Sequence, residues 1–182
     1  MKAMSKFASL AFALALASGA ATALTAAPAG AATVNSCKVL KGTSTFKPPV
    51  SPTTKQKGTI TSKGTVSGCT PSAKTGGSGV FTSTLKPTKA GNCTTLVQGG
   101  NVLHGTAKTV WKNHKTTNMS VTVKTGTGSN FQIATITGKV TSGLFAGHTV
   151  TGQVKFTPSK GNCTTTPLQQ VTFKSTKAFQ LH

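Results

Sequence analysis

The sequence predicts an all-β fold: an antiparallel β-sandwich of Ig-like or Greek-key type, with eight or nine short strands and two disulfides. Three observations carry this expectation. Threonine makes up roughly a fifth of residues 32–182, and its stiff branched side chain suits a pleated sheet better than a helix. Apolar and polar residues alternate over short runs, the period of a half-buried strand. Glycine and proline clusters cut the chain between those runs, and no apolar pattern of period 3.6 survives across them. A closed β-barrel is the alternative arrangement of the same strands.

Taken in order, the first run spans Val39 to Phe46 and stops at Pro48-Pro49, and the second spans Gly58 to Cys69. Val80 to Leu85 follows Gly76-Gly77, and His104 to Trp111 follows Gly99-Gly100. Met119, Val121 and Val123 then alternate with Ser120, Thr122 and Lys124, giving one apolar and one polar face. Gly126 to Gly128 separates that run from Phe131 to Val140. Val150, Val154 and Phe156 alternate with Thr151, Gln153 and Lys155 up to Pro158, and Leu168 to Phe179 forms the last run. The expected core draws on Val39, Phe46, Ile60, Val66, Phe81 and Leu85, then on Val110, Trp111, Val121 and Val123. Phe131, Ile133, Val150, Val154, Phe156, Val171 and Phe173 complete it. That set is lean for one domain of about 150 residues, so covalent cross-links carry more weight.

Residues 1–31 read as a secretory signal, leaving residues 32–182 as a single exported domain. Lys2 and Lys6 form the positive start, Leu10 to Leu16 the apolar run, and Ala29-Gly30-Ala31 the cleavage motif. Gly19, Pro28 and Gly30 break the run well short of the ~20 apolar residues of a membrane span, so no transmembrane anchor is expected. Cys37, Cys69, Cys93 and Cys163 are an even set in an exported chain, which favours two disulfides over free thiols. Of the three possible pairings the favoured one joins Cys37 to Cys69 and Cys93 to Cys163, because each pair then brackets one part of the chain. A zinc site competes for these cysteines, but no Cys-x-x-Cys occurs and the histidines lie far apart. The pentapeptide GNCTT occurs twice, at 91–95 and 161–165, each time after a phenylalanine-bearing strand and a lysine-containing loop. Duplication and convergent turn chemistry at equivalent corners are both consistent with that echo.

The chain has 20 lysines, no arginine, no aspartate and no glutamate, for a formal charge of +20. Missing carboxylates exclude several chemistries at once: paired-acid glycoside hydrolysis, a Ser-His-Asp triad and calcium binding all lack members. A Ser-Lys or Ser-His hydrolase passes that filter, but no GxSxG or SxxK signature singles out a serine. No catalytic residue, metal ligand or cofactor is therefore expected. His104, His114, His148 and His182 are too dispersed for a local metal site and read as exposed polar residues.

Two longer motifs, GTAKTVWKNHKTT (105–117) and SGLFAGHTVTGQVKFTP (142–158), with three cysteines before them and one after, resemble a family of small actinobacterial secreted proteins of unknown function. The resemblance covers most of residues 32–182 and implies a secreted β-sandwich without implying an enzyme. In that family the turn after the tryptophan usually reads asparagine-glycine, and acidic residues are common near the second corner. This chain has Asn113-His114 and His148 there, and no acidic residue at all, so a role that depends on those acids is not expected of it.

Lysine distribution is the one sequence feature with functional force. Lysines spread from Lys38 to Lys177 rather than forming a run, so they make a field instead of a motif. Lys108, Lys112, Lys115, Lys124, Lys139 and Lys155 are the candidates for attraction to a polyanion such as an anionic cell-wall polymer or polysaccharide. Specific nucleic-acid reading is not expected, since arginine and tyrosine are absent and only one tryptophan is present. The functional expectation is a secreted, non-enzymatic protein, extracellular or wall-associated, adhering electrostatically to envelope polymers. The alternative is a structural or interaction domain whose positive charge is incidental.

Overall fold

Eight antiparallel strands follow one another around a closed up-and-down barrel: β1 (Asn35–Val50), β2 (Thr59–Thr70), β3 (Ser78–Pro87), β4 (Val102–Trp111), β5 (Thr116–Thr125), β6 (Ile133–Gly143), β7 (Thr149–Lys160) and β8 (Leu168–Leu181). Among the described residues one α-helix, α1 (Cys93–Gln98), lies between β3 and β4, and short 3-10 turns occur at Ser72–Lys74 and Gly128–Asn130. The computed structural model describes residues 32–130 and 132–182; the expected signal at 1–31 and Phe131 lie outside the described residues. Each of the eight runs marked in the sequence is a strand, and the strands close into the alternative arrangement instead of two packed sheets.

Closure replaces the sandwich for a physical reason that sits on β1. Its residues pair with β2 on one side and with β8 on the other, so neither terminal strand keeps a free edge. The β1–β8 ladder shifts register between Cys37 and Lys41 and again between Thr45 and Val50, and such bulges bend and twist a strand. Gly42 and Gly64 are direct partners on β1 and β2, and both face inward. A Cβ on Gly42 would lie 2.8 Å from the Phe173 ring and also meet the Lys63 carbonyl; one on Gly64 would lie 2.6 Å from the Phe81 ring. These two glycines let the Phe81 and Phe173 rings, 5.7 Å apart, pack against bare backbone across the barrel.

Strand alternation fixes which residues face in. Val66, Phe81, Leu85, Trp111, Val121, Val123, Val150, Val154, Val171 and Phe173 are buried as expected. Val110 is not: it is 41% exposed, because adjacent residues on a strand face opposite ways and Thr109 and Trp111 take the inner face. Val39 and Ile133 likewise yield the inner face to Leu40 and Ala134. Phe46, Ile60 and Phe156 are only partly buried.

The two ends of the barrel differ. At one end the chain enters at β1 and leaves at β8, and a plug of side chains fills the interior. Trp111, 1% exposed, donates its indole N–H to Thr117 Oγ1 at 2.7 Å, and the Thr117 hydroxyl donates to the Leu144 carbonyl at 2.8 Å. Phe145 packs its ring edge-on to Trp111 with centroids 6.2 Å apart, from a backbone at φ 68° that is unusual for a bulky residue. The Cys37–Cys69 disulfide joins directly opposed residues of β1 and β2 near the same end. The other end, where the β1–β2, β3–β4, β5–β6 and β7–β8 loops gather, leaves the interior open.

Candidate functional site: the barrel interior

Above the plug lies a cavity of about 360 Å³, within the range of small-molecule sites. Leu40, Phe46, Ile60, Leu103, Ile136 and Phe156 are among the side chains that line it. The partial burial of Phe46, Ile60 and Phe156 is thereby explained: they face the barrel interior, but the interior is not filled. Lys89, on the β3–β4 loop, is the one charged residue in the lining, and it is exposed. Among the described residues no strand contributes a charged side chain to this cavity.

A row of hydroxyls interrupts the apolar wall. Ser44 on β1 is paired in register with Ser62 on β2, and Ser62 with Ser83 on β3, so three serines stand side by side facing inward. Ser44 and Ser62 are buried, 4% and 5% exposed, and their hydroxyl oxygens are 2.9 Å apart in one hydrogen bond. Among the described residues the Ser83 hydroxyl has no protein partner.

The segment between β3 and β4 lies over the open end as a lid. Asn92 begins α1 with a reciprocal cap: its side chain accepts from Thr95 N at 3.0 Å, and the Thr95 hydroxyl accepts from Asn92 N at 2.8 Å. The lid touches each of the other three loops at that end. Gln56 and Gly91 form a bridge to the β1–β2 loop, Gly100 N donates to the Gly126 carbonyl at 2.9 Å, and Cys93 is bonded to Cys163 on the β7–β8 loop. In a barrel of eight strands the β3–β4 and β7–β8 connections stand half a turn apart, so this disulfide crosses the mouth. The two GNCTT copies are thus joined to each other through their cysteines. Only the first opens a helix; in the second, Asn162 Oδ1 accepts from the backbone of Thr164, Thr165 and Thr166 in a turn.

The six lysines singled out in the sequence are all exposed, but the structure does not bring them together. Lys112 and Lys115 flank the β4–β5 turn at the plugged end, Lys124 lies near the open end, and Lys108 and Lys139 stand along β4 and β6. Lys155 has company that sequence reading missed. On the outer face Lys155 of β7 is paired with Lys174 of β8, and Lys174 with Lys41 of β1. Only the strand register could reveal that row, since the three residues are far apart in the chain.

The histidines stay dispersed except at the plugged end, where the His148 ring lies 2.9 Å from the His182 carbonyl. His104 meets the Thr122 hydroxyl at 2.9 Å, and His114 occupies the β4–β5 turn. Among the described residues no three metal-ligating side chains converge, and no helix is long and apolar enough to cross a membrane. Comparison with protein families, with curated proteins and with solved structures gives no match to this chain.

Proposed function

We propose that this protein is an exported carrier that holds a small apolar molecule inside its barrel. The observation that carries the reading is the cavity of about 360 Å³, walled by apolar side chains and roofed by a cross-linked lid. Apolar surface left unfilled by the protein's own side chains costs stability, and a ligand that fills it recovers about 0.8 kcal/mol per buried methylene. The outer face of threonine and lysine suits water, the reverse of the apolar band of a membrane barrel. The cavity's serines have no histidine among the lining residues, and its one lysine lies on a loop, which favours binding over catalysis. Titration of residues 32–182 with N-phenyl-1-naphthylamine, a neutral dye that brightens in apolar surroundings, tests this. Saturable one-to-one binding that is lost in Leu103→Trp, which fills the cavity, is expected. Binding unchanged by that substitution, or no binding to the unsubstituted protein, refutes the reading.

The row Lys41–Lys174–Lys155 favours a second, compatible activity on the outside: electrostatic adhesion to an anionic cell-wall polymer. Like charges placed directly opposite on a sheet destabilise it unless something neutralises them, and this chain has no side-chain carboxylate to do so. A polyanion would relieve that repulsion and gain from release of its counterions. Retention on purified cell wall or heparin that falls steeply with salt supports adhesion; elution at or below physiological ionic strength refutes it.

A further inference from the structure

We infer that the ligand of the barrel is a neutral molecule with an oxygen, such as a ketone, ester or alcohol on an apolar skeleton, and that this oxygen binds at the Ser44–Ser62–Ser83 row. The inference rests on the carrier reading and adds the ligand's chemical class. Each serine hydroxyl offers one proton and two lone pairs. The single Ser44–Ser62 bond uses one proton of that pair, and Ser83 brings a hydroxyl without a protein partner, so both donors and acceptors remain for a ligand. Hydroxyls in a largely apolar wall are costly unless they are used; Thr109, Thr125 and Gln132 also line the cavity, but only the three serines stand in register on adjacent strands and so concentrate polarity at one height of the barrel.

Charge decides between ligand classes. A carboxylate drawn down to the serine row would leave water without meeting a cation, because the strands give the cavity no charged side chain. Burying an unpaired charge costs far more than hydroxyl hydrogen bonds return. A cationic ligand fares worse still, as the chain has no aspartate or glutamate to pair with it. A neutral carbonyl or hydroxyl avoids both penalties. The competing arrangement is an anionic amphiphile with its head at the mouth beside Lys89 and its tail below.

Displacement of bound N-phenyl-1-naphthylamine by methyl octyl ketone, decane and decanoate separates these outcomes. The ketone is expected to bind tighter than decane, and Ser83→Ala alone to narrow that preference about three- to tenfold, the worth of one neutral hydrogen bond. Ser83 is half-buried and unpartnered, so this variant tests the row without disturbing the barrel. Ser44→Ala with Ser62→Ala is expected to narrow the preference further while leaving affinity for decane equal or higher. An unchanged ketone preference in Ser83→Ala and in the double variant overturns the inference, with the carrier reading left standing if the dye still binds. Decanoate binding tighter than the ketone and weakened by Lys89→Gln also overturns it, in favour of the anionic arrangement. Failure of the dye to bind overturns both.

Discussion

The disulfide across the mouth gives the sharpest test of the lid, because the second disulfide supplies an internal control. Replacing Cys93 and Cys163 by serine opens a loop spanning 70 positions, whereas replacing Cys37 and Cys69 opens one spanning 32. Chain-entropy arithmetic assigns these cross-links about 4.4 and about 3.7 kcal/mol. The two double variants are therefore expected to lose nearly the same stability, each shifting the denaturant midpoint well below that of the parent. Their kinetics should part company. Cys37–Cys69 ties two neighbouring strands that already share a ladder, so its loss leaves the mouth untouched. Cys93–Cys163 ties loops half a barrel apart, and once it is cut no covalent link holds the lid to the β7–β8 loop; the Gln56–Gly91 and Gly99–Thr127 bridges still tie it by hydrogen bonds to the β1–β2 and β5–β6 loops. Stopped-flow dissociation of the neutral dye should accelerate in the Cys93→Ser, Cys163→Ser protein and stay at the parent rate in its counterpart. Equal dissociation rates in both variants would refute the lid.

Three further outcomes are expected. Thr117→Val keeps the shape of a fully buried residue but leaves the Trp111 indole N–H unpaired, at a cost of about 1–3 kcal/mol, a fall of roughly 3–10 °C in melting temperature. In a Trp111→Phe background the same change should cost much less, and a double-mutant cycle showing no coupling would sink the proposed relay. Lys174→Gln removes the middle charge of the outer row and should raise the melting temperature by about 1–4 °C at low ionic strength while weakening retention on cell wall; a neutral or destabilising effect counts against the like-charge argument. Gly42→Ala drives a Cβ into the Phe173 ring and the β2 backbone, so it should destabilise the barrel far more than Gly152→Ala, whose backbone is not left-handed and whose nearest neighbour is the Phe179 side chain at 3.3 Å; equal effects on melting temperature would remove the glycine argument for closure.

The strands were legible because alternation and breakers are local signals, and every one of the eight runs is a strand. Closure was not legible: it depends on β1 pairing with β8, a contact between the two ends of the described chain that no local pattern encodes. Gly42 and Gly64 fall inside the first two runs of the sequence, and nothing local marks them as partners that bring two aromatic rings onto bare backbone. Val110 misled because a valine beside a tryptophan looks like core, while alternation allows only one of two neighbours to face in. The cavity was invisible for a related reason. Phe46, Ile60 and Phe156 have the composition of a core, and only the closed geometry shows that they surround space. The serine row and the lysine row share that origin, since each is made by register between strands and neither has a sequence motif.

Register also divides the two proposed activities by charge. The inner row is made of serines, the outer row of lysines, and the strands send no lysine into the cavity. The absence of carboxylates acts differently on each side. Outside, it leaves the lysine field unopposed, so any attraction to a polymer must weaken as salt screens it. Inside, it means that a neutral oxygen has no ionised acceptor to compete with for the hydroxyl protons. A salt series therefore acts on the two activities in opposite ways: adhesion to a polyanion falls, while uptake of a neutral apolar molecule holds or strengthens with salts that favour apolar burial. An interior ligand that was released in step with the polymer would have to be bound by the lysines, and the barrel would then be only their scaffold.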